Sequence, residues 1–140
     1  VILHAGLVAF PANGRWRGVL IEGPSAAGKS DLALRCLDLG ARLVADDRVI
    51  VWTSAGSLWG RAPESLAGLI EIRGVGIVRQ TPLAMAPIAL VIACQPGPEA
   101  IERLPEEAFV DRLNVRVPLR PLWPFEPAAP IKLRRLLERL

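Results

Sequence analysis

Eight consecutive residues carry the clearest chemistry in this chain: Gly23-Pro-Ser-Ala-Ala-Gly-Lys-Ser30 satisfies the pattern G-x-x-x-x-G-K-[ST]. Glycines let a backbone curl until successive N–H groups converge on an anion. A helix that begins there adds partial positive charge. In such a loop Gly23, Pro24, Ser25, Ala26, Ala27 and Gly28 form the cradle, Lys29 reaches the outer phosphates, and the Ser30 hydroxyl can bind Mg²⁺. Both flanks suit the motif. Gly18-Val-Leu-Ile-Glu22 is a short apolar run with strand character, and Asp31 to Leu39 has a helical pattern stopped by Gly40. The spacing predicts a site for a polyphosphate such as ATP or GTP.

Phosphoryl transfer needs more than a cradle: metal ligands, and a base if the acceptor is a hydroxyl. Asp46-Asp47 follows the apolar run Ala41 to Ala45. Carboxylates at the carboxyl end of a strand beside such a loop meet the metal or the attacking oxygen. Neighbours on an extended chain point in opposite directions, so the two aspartates are expected to do different jobs. The same pair also reads as a solvated turn. Glu22 and Glu71 are isolated acids in apolar surroundings, which need a partner or a metal; for Glu71 the partner could be Arg73. Gly74 and Gly76 allow close backbone approach. His4, the only histidine, reads either as a satisfied strand residue or as a site residue.

The elements that must hold these residues are mostly short and apolar. Leu3 to Phe10 reads as a strand, Pro11 to Gly14 as an Asn-Gly turn, and Gly18 to Ile21 as the strand feeding the loop. Ala41 to Ala45 is a third strand. Val49 to Thr53 continues extended into a hairpin turn at Ser54 to Ser57. Pro63 to Ala67 suits one helical turn, and Leu69 to Ile72 a strand. Pro87 to Cys94 is the most apolar strand and is expected to be central, and Glu99 to Phe109 reads as a helix broken at Pro105. Pro118, Pro121, Pro124, Pro127 and Pro130 recur every third residue, the period of polyproline II. Residues 118–130 are therefore expected to form an extended connector or a proline-rich ligand. Residues 130–140 then form an amphipathic helix with Leu133, Leu136, Leu137 and Leu140 on one face. Its Lys132, Arg135 and Arg139 are either a docking face or a solvated one.

Composition bounds the class. The chain has 140 residues, 51% of them hydrophobic, and a mean hydropathy of +0.35. That suits one domain, 1–140, with a real core. No apolar run is long enough to span a bilayer. Two cysteines and one histidine are too few for a structural zinc site, and Cys36 and Cys94 read as buried hydrophobes in a reducing, cytosolic setting. A net charge of +3 fits an anionic ligand. It does not call for nucleic acid, since no basic stripe interleaved with aromatics is present.

In order along the chain, His4 before an apolar strand, G-P-S-A-A-G-K-S, Arg42-Leu-Val-Ala-Asp-Asp-Arg-Val49, Leu69-Ile-Glu-Ile-Arg-Gly-Val-Gly-Ile77 and Phe109-Val-Asp-Arg-Leu113 resemble the catalytic domain of HPr kinase/phosphorylase. The resemblance covers about His4 to Leu113 and fades in the tail. It implies an α/β fold, a P-loop NTPase-like mixed sheet flanked by helices and related to phosphoenolpyruvate carboxykinase. It implies a cytoplasmic enzyme, expected as a hexamer, that uses ATP and Mg²⁺ to phosphorylate one serine of an HPr-type phosphocarrier, and that can reverse this with phosphate to give pyrophosphate. Carried over by position, Lys29 is the loop lysine, Ser30 and Glu71 are Mg²⁺ ligands, Asp47 is the proton acceptor, and His4 and Arg112 are active-site residues. The segment from Ile70 to Arg79 matches one tied to both activities.

The chain also departs from that pattern. It resembles short forms without the N-terminal domain of longer members. Ala5 stands where glycine usually follows the histidine, and the turn from Pro11 to Arg17 is longer than usual. A family segment tied to dephosphorylation is met only by Pro130-Ile-Lys-Leu-Arg-Arg-Leu136, without its glycine and asparagine, so a plain helix and a weakened reverse reaction are expected. Two rival readings remain at this point: a nucleotide-responsive binding module, and a small-molecule kinase on the same loop.

Overall fold

The structure, a computed structural model, describes all residues Val1–Leu140. Its elements are β1 (Ile2–Leu3), β2 (Ala5–Ala12), β3 (Arg15–Glu22), α1 (Lys29–Leu37), β4 (Arg42–Ala45), β5 (Val49–Ser54), β6 (Ser57–Arg61), β7 (Leu69–Ile72), β8 (Gly76–Arg79), β9 (Ala86–Cys94), β10 (Ala108–Arg112), β11 (Val115–Leu122) and α2 (Ala129–Glu138). Nine strands form one curled mixed sheet, and β7 and β8 form a separate hairpin. Neither helix is long and apolar enough to cross a membrane.

Period-two side chains explain the two faces. Val8, Phe10, Val19, Ile21, Leu90 and Ile92 face the helices, packing with Leu32, Cys36, Leu133 and Leu137. The intervening Leu7, Ala9, Leu20 and Val91 face the other way, against Val49, Val51 and Leu58 of β5 and β6 and Val117 of β11. A sheet covered on both faces reads as continuous apolar runs, as Pro87 to Cys94 does. That strand is central: one edge of β9 pairs in parallel with β3. Its other edge is divided, pairing first with β6 at Ala86–Pro87 and then with β11 at Val91–Cys94. This division curls the sheet.

Strand direction places the site. β2 is antiparallel to both β3 and β4, while β9 is parallel to β3 and to β11. The carboxyl ends of β3, β4, β9 and β11 and the amino end of β2 therefore share one edge of the sheet. Laterally they run β4, β2, β3, β9, β11. The β2–β3 turn has both Asn13 and Gly14 at positive φ (52° and 75°), as the Asn-Gly pair implies. Ala55 and Gly56 turn β5 into β6 in the same way.

Several expectations are corrected. The strand expected from Leu3 is interrupted by a bend at His4. Glu99 to Phe109 is not a helix: Pro98–Ala100 make one 3-10 turn, Leu104 is exposed, and residues 108–112 are β10 because they pair with β11. Residues 118–130 are not one connector. Pro118 and Pro121 lie in β11, each where that strand has a neighbour on one side only. Pro118 precedes the β9 register, which starts at Leu119, and Pro121 lies beyond the end of β10, whose Ala108 pairs with Leu119. A missing N–H is tolerated there. Pro130 opens α2, at a position where its N–H would be unsatisfied anyway. The expected terminal helix is present, with Leu133 and Leu137 buried.

Candidate active site

The shared edge holds a cleft of about 710 Å³ lined by His4, the loop from Gly23 to Ser30 except Ala27, which packs on the core, Asp47, Glu71, Arg73 and, at one wall, Leu34 and Phe125. Strand β3 ends at Glu22 and the chain curls through residues 23–28 into α1. Gly28 sits at φ 98° as the residue before the helix, a conformation that disfavours any side chain. A Cβ there would also lie 2.9 Å from Cζ of Phe125. Lys29 Nζ donates to the loop carbonyls of Gly23 (2.6 Å) and Pro24 (2.8 Å), which ties the loop into a ring. Beneath the loop, a Cβ on Gly23 would meet Cys94 at 2.9 Å. Burial raises the Cys94 thiol to about 11 and the Cys36 thiol to about 12, so both stay protonated hydrophobes.

The two aspartates part as expected, by a sharper device than strand alternation. Asp47 has φ 68°, and the Arg48 N–H donates to the Asp46 carbonyl at 2.8 Å. This is a γ-turn with positive φ, a rare and strained geometry. It turns the Asp47 carboxylate out into the cleft, where Arg48 lies 3.5 Å away. The Ala5 N–H donates to the Asp47 carbonyl at 3.2 Å, fixing the turn beside the start of β2 and His4.

Asp46 points inward and is only 7% exposed. It accepts from Ser30 Oγ (2.7 Å) and from the Glu71 backbone N–H (3.3 Å), which joins α1, β4 and β7 at one carboxylate. Its pKa is raised, chiefly by burial, with the two hydrogen bonds working against the shift and the charge of Asp47 adding to it. No cation pairs with it within 4.0 Å. Because Ser30 donates its proton to Asp46, the lone pairs of Oγ are left for a cation. Glu71 makes no ion pair with Arg73. A serine hydroxyl, the Glu71 carboxylate and, behind the hydroxyl, a buried carboxylate that no cation neutralises make a hard-oxygen set that fits Mg²⁺, which takes one or two carboxylates and completes its shell with phosphate and water.

His4, Lys29, Ser30, Asp47 and Glu71 are thus brought together. Arg112 is not among the lining residues: it pairs with Glu22 at 2.6 Å, carried there by the β10–β11 arm. This pair also answers why Glu22 is an isolated acid. Three features were missed from sequence. Asp46 as the partner of Ser30 was signalled only by the doubled aspartate. Phe125 was hidden in the proline rhythm. Arg35, which holds the chain around Phe125, carries no motif.

The family model described as "HPr Serine kinase C-terminal domain" matches residues 8–83. The chain is 56% identical over 62 residues to HPr kinase/phosphorylase of Streptococcus thermophilus, a stretch that is 44% of this chain and 20% of that protein. Against HPr kinase/phosphorylase of Streptococcus pyogenes serotype M1 it is 53% identical over 62 residues, with the same coverage. It spans about a fifth of the length of the curated relatives it matches. The structure resembles that of the Hpr(Ser) kinase/phosphatase from Coxiella burnetii with a TM-score of 0.81 at 26% identity, over 99% of this chain and 89% of that one. Since the matched region is more than half of its length, this chain belongs to the HPr Serine kinase C-terminal domain family.

Proposed function

We propose that the chain is an ATP-using, Mg²⁺-dependent protein serine kinase acting on an HPr-type phosphocarrier, with a P-loop fold of the phosphoenolpyruvate carboxykinase kind. The observation that carries this reading is the convergence of the 23–30 loop, Asp47 and Glu71 on one cleft. Loop N–H groups and the start of α1 bind the phosphates, and Lys29 exchanges its two loop carbonyls for phosphate oxygens. Ser30 and Glu71 would hold Mg²⁺, which when bound offsets charge on the phosphates. Asp46 keeps the Ser30 hydroxyl turned for that role. Asp47 accepts the proton of the acceptor serine, and in the reverse reaction returns it. His4 flanks Asp47 at the start of β2. Arg112 acts at one remove, steadying the end of β3 through Glu22.

The forward direction is favoured. Residues 130–136, which stand where the resemblance expects a segment for dephosphorylation, lie wholly in α2. The test is to incubate the chain with γ-labelled ATP, with and without an HPr-type protein. Label on a serine of the carrier supports the kinase. Binding without turnover would replace it with a regulatory module, and turnover on metabolites alone with a small-molecule kinase. Phosphoserine carrier with Mg²⁺ and phosphate should release little pyrophosphate.

A further inference from the structure

The cleft has a second wall, which the transfer chemistry does not use. Asp47 and His4 lie on the β4–β2 side of the loop, whereas the chain leaving β11 reaches the same edge from the other side of β3. That chain, Trp123 to Ala128, is firmly anchored. Arg35 of α1 donates to the carbonyls of Glu126 (3.1 Å) and Pro124 and pairs with Asp31 at 2.9 Å. Lys132 pairs with Glu126 at 2.5 Å. Pro124 and Ala129 are buried, yet Phe125 between them remains 55% exposed. Its ring edge rests on Gly28, at a distance only a glycine permits, and with Leu34 it lines the cleft. The anchored segment thus holds an open aromatic face against the start of α1, where it forms a flat apolar wall of the cleft.

We propose that Phe125 is the platform for the nucleotide base: the purine stacks on its ring, with Leu34 beside it, while the phosphates run from Gly28 across the loop toward Asp47 and Glu71. This rests on the reading of the cleft as an ATP site. Stacking on an aromatic ring tolerates any base, because every base has a π-face. The platform therefore separates nucleotides from bare polyphosphate, and ATP from GTP only weakly.

The test measures affinities of ATP and of inorganic tripolyphosphate, each with Mg²⁺, for the wild-type chain, Phe125→Ala, Phe125→Leu and Phe125→Trp, with helix content checked by circular dichroism. Wild type should prefer ATP. Phe125→Ala and Phe125→Leu should lose about tenfold or more in ATP affinity with tripolyphosphate unchanged, and Phe125→Trp should keep both. ATP affinity untouched in the Leu variant overturns the platform, and so does an equal loss for both ligands, which would mean the ring only shapes the loop at Gly28. Tripolyphosphate binding as tightly as ATP to wild type sinks the platform alone. Failure of both ligands to bind wild type removes the phosphate site and the platform together.

Discussion

Lys29 is the one cation bonded within the loop, and it spends its charge on two carbonyls. Lys29→Ala should abolish phosphoryl transfer, since a point charge on the transferring phosphates has no substitute, while circular dichroism shows the fold kept. A folded variant with full activity would remove the nucleotide site. Asp47 combines a strained backbone with the proton-accepting role proposed for it. Asp47→Asn should bind ATP and lose ~10²–10⁴ in rate, because an amide cannot take the seryl proton. Asp47→Gly should lose the same activity without lowering Tm, since relief of a left-handed residue, worth about 1–2 kcal/mol, offsets the entropy that glycine costs. A large drop in Tm would show that the carboxylate itself holds the turn.

Asp46 gives a pH signature. Its folded pKa is raised, so its contribution to stability is fully present below its unfolded value near 3.8. That contribution is lost as pH rises through the folded value. Denaturant unfolding without Mg²⁺ should show this decline, Asp46→Asn should lack it, and Mg²⁺ should reduce it in the wild type. Identical pH profiles for the two proteins would dismiss the shift.

Among the elements, local signals were enough where a turn or period is self-contained. The Asn13-Gly14 hairpin, α1 after the loop, the 3-10 turn at Glu64–Leu66 and α2 all follow from residues within a few positions of one another. β10 did not, because its strand character comes from pairing with β11. Phe125 and Pro118 were masked by one proline rhythm shared between a strand, a turn and a helix start. That the loop, Asp47 and Glu71 would share one cleft was legible, because each lies in a motif. The place of Arg112 was not, since an arm outside the β9 register decides it. On β7, Glu71→Gln should raise the Mg²⁺ concentration needed for activity and leave stability unchanged, because no ion pair with Arg73 is lost. A loss of stability with unchanged Mg²⁺ dependence would argue that the carboxylate is structural.

On α2, Lys132 and Arg135 already have acidic partners in Glu126 and Glu138. The Arg135–Glu138 pair is exposed and of a kind worth about 0–1 kcal/mol, the Glu126 end of the Lys132 pair is half-buried, and both leave little free charge for docking. Reversing Lys132, Arg135 and Arg139 to Glu should leave KM for the carrier where it was. A rise in KM that salt suppresses would restore the docking face. Leu133 is the contrary case. Fully buried against α1 and the sheet, Leu133→Ala should cost about 2–5 kcal/mol, measurable by urea unfolding.

For the molecule as a whole, strand β3 acquires its two neighbours on very different schedules. β2 is joined to it by a two-residue turn, but Ile21 meets Ile92 in β9 only after the whole of the intervening chain has been made. Closing so long a loop is slow relative to forming a hairpin. The 23–30 loop thus emerges early in synthesis on a hairpin with one bare edge, and the floor under it, Cys94 against Gly23, arrives with β9. A fragment ending at Leu83 would contain His4, the loop, both aspartates and Glu71. It would still lack the strand that holds the end of β3 in place, so such a fragment should not bind tripolyphosphate. In folding time, the motif precedes the site.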